Sequence, residues 1–214
     1  MIKKVLVTGG NGQLGKTLKE LFKNNTIGLD FVFATKEVLD ITKKDDIDVF
    51  FYNTDFDYCI NCAAYTNVEQ AENTPEIAYS VNAEGVRNLA EICNQYRIIL
   101  IHISTDYVFD GEKDRPYQID DQTNPINVYG KSKLLGEKYI QNIMTHYFIV
   151  RTSWLYSKKY GHNFYKTIVE KTKTEKELFI TTEQKGCPTN TVNLSRFIIE
   201  LIELENKSFG IFHF

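Results

Sequence analysis

Tyr129 and Lys133 lie four residues apart in the run Asn127-Val128-Tyr129-Gly130-Lys131-Ser132-Lys133. On a helix, that spacing puts a phenol and an ammonium on one face, where both can reach one pocket. A free phenol has a pKa near 10, and bringing it to about 7 takes roughly 4 kcal/mol of extra phenolate stabilisation, part of which a lysine one turn away supplies. The pair therefore suits proton donation to a developing alkoxide, the companion of hydride addition to a ketone. An amphipathic helix with an interfacial tyrosine and a solvated lysine has the same pattern, so the weight falls on residues upstream.

Upstream, Thr8-Gly9-Gly10-Asn11-Gly12-Gln13-Leu14-Gly15 joins a short apolar run to a helical pattern. It satisfies Gly10-x-Gly12-x-x-Gly15 and Gly9-x-x-Gly12-x-x-Gly15 together. Such a turn lets backbone approach a pyrophosphate at a helix N-terminus, which favours the anion. In this class an acidic residue about 20 positions past the loop, at the end of the second strand, accepts from the adenosine ribose. Here that region reads Phe33-Ala34-Thr35-Lys36, with a cation and no carboxylate, which predicts NADPH use at least as good as NADH use. Asp30 lies just ahead of the expected strand and becomes a ribose acceptor if the strand boundary is shifted.

A third element is His102-Ile103-Ser104-Thr105-Asp106-Tyr107-Val108-Phe109, whose hydroxyl-rich turn ends a predicted strand. Thr105 there can donate to a substrate carbonyl while Tyr129 protonates it. The competing role of a strand-end Thr is helix capping.

These residues need a scaffold, and the hydrophobic pattern supplies one. Strands are predicted at residues 4–8, 31–35, 58–63, 98–104 and 148–153, alternating with helices at 12–24, 43–52, 75–96 and 126–144, the last opened by Pro125. Strict alternation predicts an α/β fold, a Rossmann-like doubly wound parallel sheet with helices on both faces. Beyond residue 156 the pattern loosens into a helix at 163–173, a strand at 178–182, a helix at 192–205 and a strand at 211–214. The chain is thereby divided into a dinucleotide-binding domain with the catalytic residues (1–156), a partial substrate-binding region (157–189) and a returning helix and strand (190–214).

The 214 residues are 43% hydrophobic and 25% charged with net charge −3, which gives no reason to expect nucleic acid or an anionic membrane as partner. No apolar stretch is long enough for a membrane span and the N-terminus has no signal-peptide pattern, so a cytoplasmic setting is expected. Cys59, Cys62, Cys93 and Cys187 are expected to be structural, reduced thiols. Cys59 and Cys62 are three apart in a strand-like run and so face opposite ways, and no second pair or histidine completes a zinc site.

The motifs taken together resemble the extended short-chain dehydrogenase/reductase family and, within it, the dTDP-4-dehydrorhamnose reductases. The resemblance spans essentially the whole chain. Besides the three elements above it rests on Leu39-Asp40-Ile41-Thr42, Asn61-Cys62-Ala63-Ala64-Tyr65-Thr66-Asn67-Val68, Gly136-Glu137, Arg151-Thr152-Ser153-Trp154-Leu155-Tyr156, Asn163-Phe164 and Gly186-Cys187-Pro188-Thr189. It implies NADPH- or NADH-dependent reduction of the C4 ketone of dTDP-4-dehydro-L-rhamnose, in cell-surface polysaccharide synthesis. Tyr129 is then the proton donor, Lys133 its pKa modulator and a nicotinamide-ribose ligand, and Thr105 the carbonyl donor. Gly9, Gly12, Gln13, Leu14 and Gly15 would hold the pyrophosphate, Asp40 and Ile41 the adenine edge, and Ala63, Ala64 and Tyr65 the middle of the cofactor. Val68, Thr105, Asp106, Tyr107 and Trp154 would line the sugar pocket, although a strand-end tryptophan also reads as core packing.

Sugar-nucleotide dehydratases of the family place an Asp-Glu pair after the threonine. Here Asp106 is followed by Tyr107, so elimination lacks its second carboxylate. A related non-catalytic reading, a cofactor-binding regulatory subunit similar to the β subunit of methionine adenosyltransferase, shares the fold. Family members usually run on by about 75 residues past this chain's last segment, a small-domain increment, so the sequence is expected to be a fragment or a naturally short form. Some members hold magnesium at a dimer contact through glutamates; Thr17 stands at one of those positions, so no metal is expected, while a homodimer stays open.

Overall fold

The structure is a computed structural model that describes residues 2–22, 28–52, 54–204 and 208–214. Its six strands are β1 (Lys3–Thr8), β2 (Leu29–Phe33), β3 (Tyr58–Asn61), β4 (Ile99–Thr105), β5 (Tyr147–Thr152) and β6 (Gly210–His213). They form one sheet in the order β2-β1-β3-β4-β5-β6, with every pairing parallel. The helices are α1 (Gln13–Phe22), α2 (Lys44–Tyr52), α3 (Val68–Asn73), α4 (Pro75–Tyr79), α5 (Gly85–Gln95), α6 (Val128–Ile143), α7 (Phe164–Lys171) and α8 (Thr191–Glu203).

Successive residues of β1 face opposite layers, which is why its central run Val5–Val7 is apolar and buried on both faces. Leu6 joins a core with Ile47, Phe51, Leu89 and Ile140 beneath α2, α5 and α6. Val5 and Val7 join Leu18, Leu194 and Ile198 beneath α1 and α8. Cys59 and Cys62 fall into these two opposite layers, as the alternation requires, and all four cysteines are free. The chain winds from β1 outward to β2 and then returns to the far side of β1 to start β3. The connections after β1 and β3 therefore run to helices on opposite faces, which makes this carboxyl edge the switch point where ligands bind in such sheets.

Several boundaries differ from expectation, each for a local reason. The second strand ends at Phe33, two residues earlier than predicted. Asp30 is thereby placed in its first half, opposite Lys4, and Ala34 to Lys36 just beyond its end. The predicted helix 75–96 is three pieces: α4, a π-helical turn (Ser80–Glu84) and α5. The sequence reading missed α3, which Asn67 opens by accepting from Gln70 N. Helix α6 starts at Val128, not at 126, because Asn127 Oδ1 accepts from Gly130 N at 2.7 Å and Pro125 stays outside as part of the approach loop. The predicted strand 178–182 does not form. Phe179 is 96% exposed, and the segment pairs with no strand among the described residues. Residues 24 and 205, the predicted ends of two helices, lie outside the described residues.

Segment 157–189 leaves and rejoins the sheet at one place. Tyr156 N donates to Thr189 O and Thr191 N to Tyr156 O, each at 2.9 Å.

Candidate active site

Tyr129 and Lys133 sit in the first turns of α6, one above the other as their spacing predicts. The helix is fitted tightly to β4's end. A Cβ on Gly130 would lie 2.2 Å from Tyr107 O, so only a bare α-carbon lets the helix come this close. That approach sets the Tyr129 ring edge-on to Tyr107, with centroids 5.6 Å apart. Thr105 is buried at the last position of β4. Its Oγ1 accepts from Tyr107 N at 3.2 Å, capping a 3-10 turn (Asp106–Val108), and donates to Asp106 Oδ1 at 3.2 Å. The capping role and the proximity to the phenol thus coexist in one hydroxyl.

Burial pushes the Tyr129 phenol up to about 12, opposed by the hydrogen bond with Thr105 and reinforced by Asp106 and Tyr107. Lys133, expected to lower it, does not figure among these influences. Its side chain is 2% exposed, and Nζ is turned to β4, donating to Ile103 O at 2.7 Å and lying 3.3 Å from His102 Nε2. Burial lowers Lys133 to about 8, against the pull of Glu137 and Cys62.

Behind the pair lies a polar network that sequence reasoning passed over. Thr8 Oγ1 donates to Asn61 Oδ1, and Asn61 Nδ2 lies 3.0 Å from His102 Nδ1. Asn82, in the π-helical turn, accepts from Tyr65 N at 2.9 Å and donates to Tyr65 O and to Ser132 Oγ. It ties the loop after β3 to α6. Glu137, fully buried one turn beyond Lys133, takes a two-pronged bond from Arg151 and a 2.5 Å bond from Ser104 Oγ. The available signal was polar residues embedded in apolar strands and on the inner face of α6, which demand buried partners.

The crevice between β1 and β3 matches a dinucleotide. Gly9 has φ +64°, and a Cβ there would strike Cys62 and Ala63 backbone at 2.7 Å, so the loop after β1 nests against the loop after β3. Gly12 and Gly15 continue this bare-backbone cradle, and the N–H groups opening α1, at Gln13 and Leu14, have no carbonyl within their own helix. Leu14's side chain is in the core, so it can serve a pyrophosphate only through its backbone. Ile41 is likewise 3% exposed, leaving its main chain for an adenine edge, while Asp40 is partly open and accepts from Thr42 N and Oγ1. Ala63, Ala64 and Tyr65 line the crevice after β3. Lys36 is exposed beside Asp40, their closest atoms 4.0 Å apart.

Gln13 links the cradle to the segment after β5. Its Nε2 donates to Leu155 O at 3.0 Å and its Oε1 accepts from Asn163 Nδ2 at 3.2 Å. Trp154 is no core residue. It is 37% exposed at φ +45°, with Phe164 6.3 Å away and Gly186 against its indole edge. Val68, at the start of α3, Asp106 and Tyr107 are partly exposed at the same carboxyl edge. Thr17 is buried between helices, its hydroxyl 2.7 Å from Gln13 O and 3.1 Å from Thr191 Oγ1. No group of three or more His, Cys, Asp or Glu side chains that could hold a metal ion occurs among the described residues.

The model of the RmlD substrate binding domain family matches residues 3–214. A dTDP-4-dehydrorhamnose reductase of Aggregatibacter actinomycetemcomitans is 38% identical over 99% of this chain and 72% of its own length. One from Mycolicibacterium smegmatis is 36% identical over 95% of this chain and 61% of its own. The crystal structure of a dTDP-4-dehydrorhamnose reductase from Bacillus anthracis in complex with NADP superposes with a TM-score of 0.95 at 40% identity, covering this chain fully and 74% of that one. The present chain thus spans about three fifths to three quarters of the proteins it resembles, and it belongs to the RmlD substrate binding domain family, among proteins named dTDP-4-dehydrorhamnose reductase.

Proposed function

We propose that this chain carries the catalytic half of an NAD(P)H-dependent reductase that converts the C4 ketone of dTDP-4-dehydro-L-rhamnose to the alcohol of dTDP-L-rhamnose. The observation that carries the reading is the convergence of Tyr129, Thr105 and Lys133 at the carboxyl edge of the sheet, beside a bare-backbone cradle. NADPH or NADH, when bound, supplies the hydride.

Gly9, Gly12 and Gly15, with the N–H groups of Gln13 and Leu14, would hold the pyrophosphate. The Asp40–Ile41 backbone would face the adenine, and Ala63 to Tyr65 the middle of the cofactor. Lys36, just past the end of β2, would accept a 2′-phosphate, which supports NADPH use at least equal to NADH use; Asp30 lies too early in β2 to serve the ribose. Val68, Asp106, Tyr107 and Trp154 would line the sugar pocket.

The chemistry of the chain's own groups then runs in order. Thr105 would orient the ketone by turning its hydroxyl proton from Asp106 Oδ1 to the ketone oxygen. Tyr129 gives its proton to that oxygen as negative charge develops; held near 12, the phenol is fully protonated at neutral pH, which is the form a reduction consumes. Lys133, one helical turn away, does not act on the phenol while its Nζ is turned to β4; its side chain would bind the nicotinamide ribose and so bring a positive charge that favours the phenolate left behind. With Asp106 followed by Tyr107, no second carboxylate is present to drive elimination. A cytoplasmic setting is supported by the four free cysteines, and among the described residues no helix is long and apolar enough to cross a membrane.

Tyr129→Phe should lose at least about 100-fold in turnover, the usual scale of a general acid, while NADPH binding followed by fluorescence stays within a factor of about 2. Turnover equal to the parent's on 4-keto nucleotide-sugars removes Tyr129 from this role.

A further inference from the structure

The buried chain behind Lys133 leaves little freedom in where its protons sit. Ala63 N donates to Asn61 Oδ1 at 3.1 Å, and a backbone N–H can only donate, so that atom of Asn61 is the oxygen. Thr8 Oγ1 reaches the same oxygen at 2.7 Å. Asn61 Nδ2 therefore faces His102 Nδ1 as a donor, and Nδ1 must accept. Burial, and then Lys133, hold His102 far below the usual imidazole range, so the ring is neutral and carries one proton. With Nδ1 accepting, that proton is on Nε2, which points at Lys133 Nζ 3.3 Å away.

We propose that His102, locked by Asn61 as the Nε2–H tautomer, is a positioning residue that lowers the proton affinity of Lys133 by presenting it with a donor. A neutral amine can accept that hydrogen while donating to Ile103 O, and every polar atom in the chain is then satisfied. An ammonium meets it donor to donor. Turning the Asn61 amide moves the conflict to Ala63 N instead of removing it.

The other groups acting on Lys133 pull the opposite way. Glu137, on its own helix, and the Cys62 thiol after β3 both favour the charged form; Glu137 is itself engaged by Arg151 of β5 and Ser104 of β4, and Tyr129 lies one turn earlier on α6. Burial against Glu137 and Cys62 sets Lys133 at about 8. The donor that His102 presents 3.3 Å from Nζ acts in the same direction as burial, so the lysine's charge can respond to events at the phenol. The inference rests on the reductase reading for its consequence, but not for its test.

The test uses the whole chain with 13Cε-labelled lysine and 15N-labelled histidine. In the parent protein, nitrogen shifts should report His102 as the Nε2–H tautomer from about pH 6 to 9, with Lys133 titrating near 8. His102→Gln can turn an amide oxygen toward Nζ, so the Lys133 midpoint should rise by about one pH unit or more, and the alkaline limb of turnover should follow it. A purely structural histidine would leave that midpoint in place. An Nδ1–H or doubly protonated His102 in the parent protein overturns the proposal, as does a Lys133 midpoint in His102→Gln within about 0.3 units of the parent's. The tautomer measurement needs no variant to fold. Normal turnover by Tyr129→Phe would sink the reductase reading and leave these nitrogen and carbon shifts standing.

Discussion

Burying an ammonium has a thermodynamic consequence that Lys133 makes measurable. Its folded-state value of about 8 lies below the ordinary lysine value of 10.5, so between those pH values the unfolded chain binds more protons than the folded one. Stability from this group therefore rises with pH through that window. Below about 8 the full penalty applies, on the order of 3 kcal/mol. Lys133→Met removes the ionisable group and keeps much of the stem's packing. The difference in unfolding free energy between variant and parent should shrink by a few kcal/mol from pH 7.5 to 10, as urea titrations at each pH will register. A constant difference would mean that Lys133 titrates normally. Tyr107 and Trp154 belong to the same scale. Both keep open surface at the site's mouth, where an aromatic face can stack on a ring ligand.

One element, α6, positions the proton donor, and two short-range features fix where it starts and how it docks. Asn127 caps it, with Glu72 Oε1 accepting from Val128 N at 2.7 Å as a second anchor. Asn127→Ala should cost about 1 kcal/mol. Gly130 sets the depth. A methyl at this position collides with Tyr107 O at 2.2 Å, so Gly130→Ala must push the helix start away from the 3-10 turn. The expected result is a loss of about 1–3 kcal/mol in stability and, from misplacement of Tyr129 against Thr105, about a 100-fold fall in turnover. Thermal denaturation and steady-state rates on one preparation will separate the two effects. Wild-type rates in a fully folded Gly130→Ala protein would show that the tight contact does not position the phenol.

Across the whole molecule, the buried Glu137–Arg151 pair joins the catalytic helix to β5, and through Ser104 and His213 it also touches β4 and β6. Arg151 further stacks its guanidinium over Phe109 at 5.1 Å. Removing one partner strands the other's charge in the core, so Glu137→Gln should destabilise by about 3–5 kcal/mol. Cofactor choice is also decided at this scale, since it depends on which residues follow β2 once β2 is paired with β1. Lys36→Glu should raise the Michaelis constant for NADPH by about tenfold relative to NADH, equivalent to 1.4 kcal/mol. An unchanged ratio would remove Lys36 from 2′-phosphate recognition.

Much of this architecture was legible in the chain, because periodicity and local chemistry are properties of neighbours in sequence. Apolar runs alternating with helical patterns determined a parallel α/β sheet. The glycine spacing determined a bare-backbone turn, and the interval from Tyr129 to Lys133 determined that phenol and ammonium share a helix face. Long-range contacts decided the rest. Residues 178–182 read as a strand yet pair with none, and helix 75–96 yields to a π turn where Asn82 reaches Tyr65. Trp154 could have been core or surface until the fold left it half-open after β5. Sequence spacing also suggested that Lys133 tunes Tyr129 directly, but only the pairing of β3 with β4 brings Asn61 to His102, and only the docking of α6 on β4 brings His102 to Lys133. Hydrogen-bond partners so distant along the chain leave no periodic trace, which is why the sequence by itself offered the candidate groups and the tertiary structure decided which of them share hydrogen bonds.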